Sequence, residues 1–96
     1  PLFDRVLDMA RLGIIPAGAY RNQDFFGSRV AADEDLESGM LDALYDPQTS
    51  GGLLIAASSP DVDELTHRLH AEGRITAVVG RVCEPVPGGP AVRVVR

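Results

Sequence analysis

The chain has 96 residues, a length that suits one domain at most. Its apolar share of 45% is ordinary for a globular protein and allows a modest core. A formal net charge of −5, with no basic cluster, argues against nucleic acid or anionic membrane as a partner.

All nine basic side chains are arginine and none is lysine, so no lysine-dependent step can be completed within this segment. Cys83 is the only cysteine, which rules out an internal disulfide and any multi-cysteine metal site. Such cysteine usage fits a reducing cytosol. No apolar stretch approaches the roughly 20 residues needed to span a bilayer, and no signal peptide is visible. The chain opens at Pro1 directly into a helical pattern, which suggests a piece of a longer protein.

Phe3, Val6, Leu7 and Ala10 follow helical spacing, with Asp4, Asp8 and Arg11 opposite. The pattern predicts an amphipathic helix over residues 2–12, stopped by Gly13. Ile14-Ile15-Pro16 reads as extended, because Ile15 precedes a proline. In the segment 17–22, Gly18 allows a tight turn. Arg21 offers a planar fork of donors suited to phosphate or carboxylate. Asn22 suits a cap or a local backbone bond. From the residues alone, Arg21 reads first as a plain ion pair with a neighbouring carboxylate.

Residues 23–32 show no clean period, and Phe25 and Phe26 are expected to anchor this stretch onto the core. Asp33, Glu34, Asp35 and Glu37 form an acidic run. It is suited either to a solvated face or first helical turn, or to a divalent cation. Met40, Leu41 and Leu44 make a short apolar face with helical spacing.

Residues 44–57 hold the most unusual local chemistry. Asp46-Pro47 stops the preceding element. Gln48, Thr49 and Ser50 each both donate and accept hydrogen bonds. Gly51-Gly52 frees the backbone for positive φ or a close approach. Leu53 to Ala57 then reads as a buried strand. The glycines suit an ordinary turn and an anion-binding nest equally well. The loop is not a Walker A motif, since no lysine follows the glycines, and Ser50 lacks the flanking glycines of a nucleophile elbow.

Ser59 suits an N-cap and Pro60 the first helical position. Val62, Leu65 and Leu69 line one helix face, and Gly73 closes it. His67 and His70 are neighbours on that helix. They read as surface histidines, because no further metal ligand completes a site. Residues 75–83 are rich in β-branched side chains and read as a strand. Cys83 reads as a small buried hydrophobe rather than a nucleophile. Residues 85–90 are a turn by composition, and 91–95 a final strand expected to form a hairpin with 75–83. The second half thus reads β-α-β-β, in an α/β (α+β) fold with a mixed sheet packed by helices.

The run from Asp46 to Ile55 resembles the D-P-Q-T-S-G-G-L-L signature of the selenophosphate synthetases, or selenide, water dikinases. Gly13 to Asn22 resembles that family's G-x-x-P-G-G-T-x-R-N segment, and Val78-Val79-Gly80-Arg81-Val82 its late I-I-G-x-V strand. Ala17 replaces the usual glycine and Ala19 the usual threonine, whereas Arg21 and Asn22 are kept.

The resemblance implies the C-terminal part of an enzyme that makes selenophosphate from ATP, selenide and water, releasing AMP and phosphate. It implies magnesium and ATP as cofactor and substrate of the full enzyme, and a cytoplasmic location. It also implies an N-terminal domain of the same protein as partner, and a homodimer. The superfamily implied is that of aminoimidazole ribonucleotide synthetase. The family's catalytic cysteine or selenocysteine, its lysine and its metal-binding aspartates lie outside this segment. The residues expected near the phosphate region are Asp46, Gln48, Thr49, Ser50, Gly51, Gly52, Arg21 and Asn22. A stand-alone binding module, or another synthetase of that superfamily, is the alternative.

Overall fold

A computed structural model describes residues 1–96. It contains two compact units, one of residues 2–49 with 83–96, the other of residues 50–82 with Pro1.

The first unit begins with helix α1, Val6–Arg11. It is shorter than the predicted 2–12 because Arg5 holds a left-handed φ of 66° and prevents an earlier start. Its end is as expected. Gly13, at φ 76°, donates to the Ala10 carbonyl at 2.9 Å, and Ile14 N–H donates to Met9 at 3.0 Å. That pair of bonds is a Schellman motif.

Pro16 then caps helix α2, Ala17–Phe26. The tight turn expected at Gly18 does not form. Pro16 sits extended at φ −61° and ψ 141°, just before the first helical residue. From there Ala17 and Ala19 propagate a helix readily. Gly18 and Ala19 are its buried residues, and Ala19 is 2% exposed. The glycine at 18 serves close packing, not a turn.

A 3-10 turn at Gly27–Arg29 leads to strand β1, Val30–Ala32, and helix α3 covers Met40–Leu44, as the apolar spacing predicts. Phe25 and Phe26 do not anchor this stretch in a core. Both are exposed, and their rings meet edge-on with centroids 4.7 Å apart.

Strand β2, Val92–Val94, pairs in parallel with β1: Val30 opposite Val92, Ala31 opposite Arg93, Ala32 opposite Val94. The expected hairpin with residues 75–83 is therefore replaced by a long-range parallel pair. Two flanking bonds extend the ladder, from Ala91 N–H to the Arg29 carbonyl at 2.8 Å and from Asp33 N–H to Val94 at 3.0 Å.

The acidic run that follows β1 is solvated and ion-paired. Asp33 meets Arg93 at 3.5 Å, Asp35 meets Arg96 at 3.4 Å, and Glu37 meets Arg11. Gly39 carries φ 86° ahead of α3. A Cβ there would lie 2.9 Å from the Ala10 Cβ, so only glycine lets this backbone approach α1.

The second unit holds helix α4, Ser59–Ala71. Ser58, not Ser59, is its N-cap, with Pro60 in the first turn. Gly73 closes it through bonds from Gly73 and Arg74 to His70 and Leu69, both 2.9 Å. Val62, Leu65 and Leu69 are half-buried, as their spacing predicts.

The flanking segments 53–57 and 75–83 are not strands here, and the predicted β-α-β-β order is not formed. A strand is stabilised by a ladder partner, and neither segment has one, since the only sheet is the β1–β2 pair. Cys83 is exposed rather than buried. The fold is a small mixed helix and strand architecture with a two-stranded parallel sheet.

Candidate functional site

Helix α2 brings Gly18, Arg21 and Asn22 to one side, because positions three and four apart are neighbours on a helix. Opposite that side runs the chain leaving α3. Asn22 is half-buried, and its Nδ2 donates to the Tyr45 carbonyl at 2.8 Å. One turn earlier, Gly18 lies against Pro47. A Cβ at 18 would stand 2.5 Å from the proline Cγ and 3.2 Å from its Cβ. The Tyr45–Pro47 backbone is thus seated on α2 at two points. The Gln48 N–H donates to the Asp46 carbonyl at 3.0 Å, which tightens the chain just beyond.

Asn22 therefore neither caps a helix nor bonds its own neighbours. Its amide spans 23 residues of sequence to hold the start of the signature loop. Arg21 is exposed, and none of the ion pairs in the chain includes it. The expected pairing with a nearby carboxylate is absent. Arg21 is an exposed residue next in sequence to the one that holds Tyr45.

Within the loop, Asp46 is half-buried, while Pro47, Gln48 and Thr49 are exposed. In the second unit, Ser50, Gly51 and Gly52 are exposed as well. Neither Gly51 nor Gly52 adopts positive φ, and a Cβ at Gly52 would meet nothing within 4 Å. What the loop offers is hydroxyl and amide side chains on an open segment.

No three His, Cys, Asp or Glu side chains gather in a group suited to a metal ion. The donor set therefore does not fit magnesium, and neither the acidic run nor the pair His67 and His70 supplies a metal site. His70 instead places its Nε2 3.3 Å from the Thr76 carbonyl. An open groove of about 240 Å³ lies beside α1, lined by residues such as Phe3, Leu7 and Arg11. None of the predicted site residues lines it. No helix is long and apolar enough to cross a membrane.

Sequence reasoning singled out Arg21 and Asn22 but missed the part played by Gly18 and Tyr45. The signal for Gly18 was a glycine retained inside a run of helix formers, which usually has a packing reason. Nothing local marked Tyr45, whose backbone carbonyl is the partner.

Fold and site together define a small α+β protein whose polar signature loop is held at one end by a helix carrying an unpaired arginine. Comparison with known proteins sharpens this. The chain is 40% identical over 90 residues to the selenide, water dikinase of Clostridioides difficile, covering 93% of this chain and 25% of that protein. It is 44% identical over 85 residues to the one from Pelobacter propionicus, covering 88% and 24%. It is 36% identical over 90 residues to that of Nitratidesulfovibrio vulgaris, covering 94% and 26%.

The chain belongs to the selenide, water dikinase family and spans about a quarter of the length of these relatives. No protein-family model matches it, and no solved structure matches it.

Proposed function

We propose that the chain is the C-terminal part of a selenide, water dikinase, the enzyme that makes selenophosphate from ATP, selenide and water with release of AMP and phosphate. The reading rests on relatives of that name matching across nine-tenths of the chain. The observation in the fold that supports it is the pairing of a fixed and a free group on adjacent residues. Asn22 is engaged in holding the loop backbone, and Arg21 is left without a carboxylate.

The segment acts by positioning and binding. Asn22 and Gly18 hold Tyr45 and Pro47. Arg21 offers its fork of N–H donors to phosphate oxygens, and Gln48, Thr49 and Ser50 add side-chain donors. The loop 46–52 faces the cleft toward the N-terminal domain of the same protein. The family reading places the magnesium ligands outside these 96 residues. The family reading carries with it the fold superfamily of aminoimidazole ribonucleotide synthetase, a homodimeric enzyme and a cytoplasmic location.

A chimera tests the reading. In it this chain replaces the matching quarter of the C. difficile dikinase. Selenide-dependent formation of AMP from ATP is expected of the chimera and not of the 96 residues alone. A chimera that folds, binds ATP and forms no AMP would overturn the assignment.

A further inference from the structure

Tyr45 is tied into the fold by its N–H, its carbonyl and its ring. The N–H donates to the Leu41 carbonyl at 3.0 Å and closes α3. The carbonyl accepts from the Asn22 amide at 2.8 Å. The ring brings its hydroxyl to the end of α2: a Cβ added at Gly27 would stand 3.9 Å from the phenol oxygen. Residues 22 and 27 lie about 7.5 Å apart along a helix axis. On the other side of Asn22, Pro47 lies against Gly18. Residues 45–47 are therefore laid along α2, Ala17–Phe26, over nearly its full length. A hydrogen bond by itself fixes one point and leaves the chain free to pivot. The ring and the proline, on either side of that bond, remove the pivot. Gln48 and Thr49 follow at once, and both are exposed. Polar loops that bind are held in place by rigid supports of this kind.

We propose that the Tyr45 side chain is a positioning residue for the dikinase reaction. Its packing on α2 holds Gln48 and Thr49 at the angle that meets the phosphate groups of ATP. The inference deepens the functional reading above and rests on it. Tyr45 touches no reacting atom and acts through the two residues beyond Pro47. The same helix carries Arg21, so the loop stem and the arginine are held in one frame. The ring serves by packing, which truncation to alanine removes and phenylalanine keeps. A binding group held at the wrong angle weakens its grip on substrate and transition state alike, so the loss falls on KM more than on kcat.

Kinetics of the chimera described above test it. Tyr45→Ala is expected to raise the KM for ATP about tenfold, with kcat within about threefold of the parent chimera. Tyr45→Phe is expected to return KM to within about twofold. Leu65→Ala, which truncates the apolar face of α4, is the control for lost stability and is expected to leave KM unchanged. In an Arg21→Ala background, Tyr45→Ala should raise KM by a smaller factor than in the parent, because both changes weaken the hold on the same phosphate groups. An unchanged KM in a folded Tyr45→Ala chimera would overturn the proposal. So would a rise in KM that Leu65→Ala matches, or one that Tyr45→Phe leaves in place. If Tyr45→Ala does not fold, Tyr45→Leu takes its place with the same expectations, and failure of both to fold would make the residue purely structural and overturn the proposal. Activity separates the two failures: an active parent chimera with a KM indifferent to Tyr45 removes the positioning role and leaves the family reading standing, whereas a folded parent that binds ATP and forms no AMP removes both.

Discussion

The side-chain amide of Asn22 donates a hydrogen bond to the backbone carbonyl of Tyr45 at 2.8 Å and ties helix α2 to the entrance of the Asp46–Gly52 loop. Both residues are half-buried, so the lost bond is only partly replaced by water. Asn22→Ala is expected to destabilise the fold by about 1 kcal/mol. A fall in the urea midpoint, with the slope unchanged, checks it. Leucine at 22 is expected to do no better, because the carbonyl then loses its donor to an apolar group.

Gly18→Ala sets two effects against each other. Alanine favours a helix interior over glycine by about 1 kcal/mol. The added Cβ, however, would stand 2.5 Å from the Pro47 Cγ, closer than two carbons can approach. Overpacking of this kind costs about 1–3 kcal/mol, so the clash is expected to win. Combining Gly18→Ala with Pro47→Ala should recover most of the loss. A double-mutant cycle with no coupling between the two positions would show that the contact is not the cause.

Gly39 and Gly73 form a matched pair for separating backbone strain from steric conflict. Both hold positive φ, 86° and 70°. A Cβ at Gly73 would meet nothing within 4 Å, whereas one at Gly39 would lie 2.9 Å from Ala10 Cβ and 3.2 Å from the Leu7 carbonyl. Gly73→Ala should cost only the left-handed penalty, about 1–2 kcal/mol. Gly39→Ala should cost measurably more. Equal losses in thermal unfolding would contradict the close approach of the residue-39 backbone to α1.

The ion pairs beside the β1–β2 sheet are expected to contribute little. Arg96 and Asp35 are both mostly exposed and 3.4 Å apart. Asp35→Asn should change stability by no more than about 0.5 kcal/mol, and raising salt should erase the difference. A larger, salt-resistant loss would mean that the carboxylate has a structural part beyond its charge.

Arg21→Ala separates binding from folding. The side chain is exposed and joins no ion pair, so the unfolding midpoint should stay within about 0.5 kcal/mol of the parent. In the chimeric dikinase the same change should raise the KM for ATP about tenfold or more, as expected for loss of a charge-assisted bond. An unchanged KM, with stability also unchanged, would remove Arg21 from the phosphate region.

Local chemistry made several features legible. The stops at Gly13 and Gly73, the short helix at Met40–Leu44 and the apolar face of α4 follow from spacing and glycine conformation alone. The signature loop stood out by composition, and its family by its exact string. Gly18 and Pro47, by contrast, are 29 positions apart in sequence, and no local rule joins them. The same holds for Val30 and Val92, whose pairing displaced the hairpin that proximity favoured.

The sequence by itself determined the family, the loop and the helix stops at Gly13 and Gly73, because these depend on residues within a turn or two of one another. Only the tertiary structure decided that 17–22 is helical, that Asn22 holds Tyr45 while Arg21 stays unpaired, and that β1 pairs with β2. The physical reason is that a strand or a buried amide is stabilised by its partner, and the partner is chosen by packing across the chain. Where no ladder partner is present, as at 53–57 and 75–80, an apolar sequence does not form a strand.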